Sequence, residues 1–104
     1  MALTKVIGEG IGTLTDDITI PDKIIHSGDT DTAIRFSDAN TVTIETAGVE
    51  NIKFDNSAVV VNNGGANIDF RVEGDTQTEL FFIDAGSDFV GIGHTNYYSG
   101  KLSI

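Results

Sequence analysis

The feature that most constrains this chain is a period of two in its apolar residues, held over short runs and broken by turn formers. Residues 41–45, Thr-Val-Thr-Ile-Glu, alternate apolar and polar. Ile34 and Phe36 flank Arg35, and Ile52 and Phe54 flank Lys53. Ile68, Phe70 and Val72 interleave with Asp69, Arg71 and Glu73. This is the pattern of a sheet with one apolar face. No helical apolar stripe competes with it, so the spacing predicts an all-β fold with little or no helix. Turn residues separate the runs at Ser27-Gly28-Asp29, Ser37–Asn40, Ala47-Gly48, Asp55-Asn56-Ser57, Asn62–Gly65, Gly74-Asp75 and Ala85-Gly86-Ser87. Asn63-Gly64 is a favoured type I′ hairpin pair and predicts one there. Short antiparallel strands and hairpins at this spacing fit a sandwich, a barrel or a stack of hairpins along a fibre.

Composition narrows what such strands can do. A 104-residue chain builds a marginal core, and oligomerisation is a standard remedy. Sixteen acidic against six basic residues leave a formal charge of -10, the wrong sign for a phosphate-backbone binder. Without cysteine there is no disulfide framework, thiolate nucleophile or Cys-ligated metal. The longest apolar runs, Ala58–Val61 and Leu80–Ile83, are far shorter than a membrane span. The opening residues lack the basic head and apolar core of a secretion signal, so folding in a cytoplasm is expected.

An internal repeat organises the chain. Residues 28–39 align with residues 74–85 at an offset of 46, sharing Gly, Asp, Thr, Thr, Phe, Asp and Ala, with Ile34 matched to Leu80. Each copy runs on through a turn into a further strand, giving related segments 28–48 and 74–94. Such units cover one another by stacking along an axis. Residues 1–22 differ: Gly8, Gly10 and Gly12 alternate, and Asp16-Asp17 precedes Ile18-Thr19-Ile20-Pro21. They read as an extended docking arm ahead of a β-rich fibre or stem domain, 23–104, with Pro21 tolerated at a strand end.

Motifs for chemistry are thin. Gly8-Glu9-Gly10-Ile11-Gly12-Thr13 departs from the dinucleotide fingerprint and lacks the Gly-Lys-Ser/Thr ending of a phosphate loop. His26 and His94 lie far apart, and Ser27 and Asp29 beside His26 do not make a triad. Asp29-Thr30-Asp31 and Asn62–Asp69 offer oxygen ligands without calcium-loop spacing, and short polar side chains in turns bond their own backbone. No carboxylate pair stands out for glycoside hydrolysis. Tyr97, Tyr98, Phe81, Phe82 and Phe89 could offer a sugar-stacking surface. Phe81-Phe82, however, reads first as a strand with one core and one interface residue. No catalytic, cofactor-binding or metal-ligating residue is assigned.

Lys23–Phe36, leading into Thr41–Gly48, resembles a segment recurring in tail-fibre and other virion structural proteins of tailed bacteriophages, notably marine ones. Asn67–Asp75, followed by Leu80–Gly86 and Val90-Gly91-Ile92-Gly93, is similar to the companion motif of that family. Together the motifs cover residues 23–94. The resemblance implies a non-enzymatic structural component of a virion, made in the host cytoplasm and carried on the tail or capsid. Family members continue past the Gly-Ile-Gly segment into more fibre or a tip. A chain ending at Ile104 is therefore expected to serve as a stem or docking piece rather than for receptor attachment. The expected assembly is a homotrimer of intertwined β layers. Its core would hold Ile34, Phe36, Val42, Ile44, Ile52, Phe54, Ile68, Phe70, Val72, Leu80, Phe82, Val90 and Ile92, with residues 1–22 adding a strand to a neighbouring virion protein. Three rivals are a capsid decoration or head-fibre protein, a carbohydrate-binding or depolymerising spike contacting a host surface glycan, and a calcium-stabilised extracellular adhesin.

Overall fold

In the computed structural model the chain is all-β, with no helix among the described residues. These are residues 12–93 and, as backbone, Leu102–Ser103. Half of the expected docking arm, residues 1–11, lies outside them, as do His94, Tyr97 and Tyr98. Residues 12–20 form no strand. The first sheet is an antiparallel meander of β1 (Lys23–His26), β2 (Asp29–Asp38), β3 (Thr41–Thr46), β4 (Val49–Phe54) and β5 (Val59–Val61), paired in chain order. The second holds β6 (Phe70–Val72), β7 (Phe81–Asp84), β8 (Phe89–Ile92) and β9 (Leu102–Ser103). Its pairs are antiparallel except β8–β9, which is parallel.

The turns set how the meander folds back. Ala47 (φ 51°) and Gly48 (φ 72°) are both left-handed, as a type I′ connection between β3 and β4 requires. The Gly48 amide also donates to the Asp31 carbonyl at 2.8 Å, tying this turn to β2. The Asn63-Gly64 expectation is corrected. A turn is present, closed by the Gly65 amide on the Asn62 carbonyl at 3.0 Å, but the positive φ values fall on Asn62 and Gly65. The strands on either side, β5 and β6, belong to different sheets. Ile68 also departs from expectation. It precedes β6, and its amide donates to the Ala66 carbonyl at 2.9 Å in the linker.

Large apolar side chains of both sheets, among them Ile24, Ile34, Val59, Val72 and Ile92, stay more than a third exposed, which is not the burial of two sheets packed face to face as a sandwich. Each is a single layer. The fully enclosed apolar side chains are few, namely Ala33 in the first sheet and Phe82 and Phe89 in the second.

Candidate interaction face

Strand register turns the alternation into a surface. Ile24 pairs with Ile34, Ile34 with Ile44, Ile44 with Ile52, and Ile52 with Val61. Directly opposed residues project to the same side of a sheet, so one aliphatic side chain from each strand forms an unbroken row across all five. At about 4.8 Å between strands, this row spans roughly 19 Å. A second line runs beside it. Val42 opposes Phe54, which opposes Val59, and Phe36 follows Ile34 at the next position on that face of β2. Between Arg35 and Asp38, β2 carries an extra residue relative to β3, a bulge that bends this end of the strand.

The row is aliphatic and open. Ile24 is 53% exposed, Ile34 45% and Ile44 37%, while Val42 and Ile52 are half-buried. Where β1–β3 meet, Ile24, Ile34, Ile44 and Thr46 help to line a shallow cleft of about 280 Å³.

The opposite face is polar and better covered. Its central row is Lys23, Arg35, Thr43, Lys53 and Val60. Arg35 Nε donates to Asp22 Oδ1 at 2.8 Å, and Nη1 reaches Glu45 Oε1 at 3.4 Å. Asp22 first and Glu45 second hold the guanidinium above its ordinary pKa. Lys53 Nζ lies 3.0 Å from Asp55 Oδ2. Thr43, flanked by Arg35 and Lys53, is 1% exposed, and its hydroxyl has no hydrogen-bond partner. Long stems of Arg and Lys shield the sheet between them, so this face solvates itself. The aliphatic face has no comparable cover among the described residues.

The second sheet repeats the theme at smaller scale. Phe70 opposes Ile83, which opposes Val90; Val72 opposes Phe81, which opposes Ile92. The Phe70 and Phe81 rings meet edge to face at 6.3 Å. Here the reverse face is mixed: Phe82, Gly91 and Phe89 are buried on it, while Arg71 opposes Phe82 and Asp84 opposes Phe89.

Other candidate residues are not brought together as a reaction centre. His26 Nδ1 lies 3.8 Å from Asp29 Oδ2, and the Thr32 hydroxyl donates to the same oxygen at 2.8 Å. Asp29 and Asp31, two apart on β2, share a hydrogen bond that lowers the Asp29 pKa and raises that of Asp31. Among the described residues no three His, Cys, Asp or Glu side chains gather as a metal site. Phe82 and Phe89 are too buried to stack on a sugar, which corrects that aromatic-surface reading; Phe81 remains half-buried. Sequence reasoning missed two anchors of the linker, residues 62–69. Asp69 Oδ1 accepts from the Ala85 amide at 3.0 Å, and Asn67 lies directly over Gly86. Comparison with family models, characterised proteins and solved structures finds no match.

Proposed function

We propose that the chain is a non-catalytic structural component of a bacteriophage virion, a stem or attachment part of a tail fibre or similar appendage, acting as a homotrimer. The observation that carries this reading is the five-strand aliphatic row, Ile24–Ile34–Ile44–Ile52–Val61, left open on a single-layer sheet. Exposed apolar faces of this breadth mark association surfaces. Three copies turning these faces inward make a triangular prism whose polar, self-solvated faces point out. The row itself carries no charge, so chains each at -10 can meet along it without placing like charges at the centre of the contact, with Glu45 and His26 bordering the cleft at its β1–β3 end. The sequence resemblance across residues 23–94 supplies the virion setting, and residues 1–22 are the candidate link to a neighbouring virion protein.

Light scattering of the purified chain after size exclusion tests the assembly. The expected mass is three chains, collapsing to one chain in the variant I34D. A wild-type chain that is folded and has single-chain mass overturns the trimer. Labelling the subunit on intact particles tests the setting, with signal on the tail expected; signal spread over the head favours the decoration protein instead.

A further inference from the structure

We propose that Asn63 is a site of spontaneous covalent modification, cyclising through the Gly64 backbone nitrogen to a succinimide that water opens to aspartate or isoaspartate. Asn63-Gly64 is the one Asn-Gly step in the chain. Both residues are exposed at the centre of the turn closed by Gly65 and Asn62. The Gly64 nitrogen is free of any intrachain hydrogen bond among the described residues, and a Cβ built on Gly64 meets nothing within 4 Å. Glycine places no side chain beside the attacking nitrogen, and its backbone swings readily into the attack geometry. In the reaction the Gly64 nitrogen loses its proton and bonds to Asn63 Cγ, and the side-chain amide leaves as ammonia. Water then adds to either ring carbonyl and breaks that carbon's bond to the ring nitrogen. The net change is hydrolysis of a carboxamide to a carboxylate, with no oxidant or reductant.

The structure separates this asparagine from its neighbours. Asn56-Ser57 is also an exposed turn, but there the attacking nitrogen is held, because the Ser57 amide donates to Asp55 Oδ1 at 2.8 Å. Asn51 lies within β4 and is followed by Ile52, paired on both sides. Asn67 is packed against Gly86. The consequence falls on the linker between the sheets. The isoaspartyl product inserts a backbone methylene between Asn62 and Gly65, whose 3.0 Å bond closes the turn, and beside the 2.6 Å bond from Asn62 Nδ2 to the Ala66 carbonyl. Either product also adds a negative charge there.

The test is peptide mapping of the full-length folded chain after incubation in mildly alkaline buffer, with isoaspartate scored by enzymatic methylation. The expected result is conversion at position 63 well ahead of every other asparagine, rising in proportion to hydroxide, and at least several-fold slower in G64A. Position 63 remaining unconverted in the folded chain while a peptide of residues 58–69 converts overturns the proposal. So does conversion at Asn56 keeping pace with it.

Discussion

The two sheets handle the same problem differently. The first has longer strands, two-residue connections at Ser27-Gly28, Ala39-Asn40 and Ala47-Gly48, and a reverse face shielded by its own Arg35 and Lys53. The second has strands of two to four residues and buries aromatic rings, Phe82 and Phe89, on its reverse face. A sheet whose second face is polar closes with ion pairs and water, so its stability hangs on what meets its aliphatic face. The second sheet, whose reverse face sets Phe82 and Phe89 among Arg71 and Asp84, buries those rings within the chain instead. The difference explains why the widest open apolar surface lies on the larger sheet.

Several changes would break or sharpen this contrast. The largest effect is expected from Ile44→Asp, which sets a charge at the centre of the aliphatic row. An unpaired carboxylate in a dry interface costs several kcal/mol per chain, so light scattering should show single chains, whereas Lys53→Gln on the reverse face keeps the assembly. Next is Phe89→Ala, which empties the best-buried position of the second sheet. The expected loss is about 3 kcal/mol by urea unfolding, with amide exchange accelerated in β7 and β8 before β2 and β3. Thr43→Val should go the other way, raising stability by about 1 kcal/mol, because a buried hydroxyl without a partner is replaced by a methyl of similar shape. Ala47→Gly should gain about 0.5 kcal/mol by relieving the left-handed alanine, less the extra freedom of the unfolded chain.

The smallest effect concerns Asp55. Its carboxylate accepts from the Ser57 hydroxyl, the Ser57 amide, Lys53 and the Ala58 amide, which together hold its pKa well below the ordinary range. A depressed folded pKa gives stability that is fully present above the unfolded value, near 3.9, and fades as pH falls below it. Wild type should therefore exceed Asp55→Asn in thermal midpoint at neutral pH, and the gap should narrow below about pH 4. A gap independent of pH would remove this account.

Much of the first sheet was legible in advance. The alternation around Arg35, Thr43 and Lys53 set which residues share a face, and Gly28 and Ala47-Gly48 marked the turns. The second sheet was less so. Phe36 and Phe82 are matched by the 46-residue repeat, yet Phe36 sits exposed on the aliphatic face while Phe82 is buried on the reverse face. The reason is register. Arg35 opposes Thr43, but its counterpart Phe81 opposes Ile92 rather than Phe89, a slip of three residues: two come from the longer turn at residues 85–88 and one from the β2 bulge, which β7 lacks. An odd slip exchanges the faces that meet across a hairpin.

By itself, then, the sequence determined strand character, the identity of the apolar side in each run and most turn positions, because these depend on neighbours one to four residues away. Only the tertiary structure decided that the isoleucines of four strands and a valine of the fifth fall in one row. It alone decided that the two sheets stay single layers, and that Asn67 and Asp69 pin the linker to the turn beyond β7. Those outcomes rest on pairing between distant segments, where a slip of one residue costs little locally and reverses an entire face.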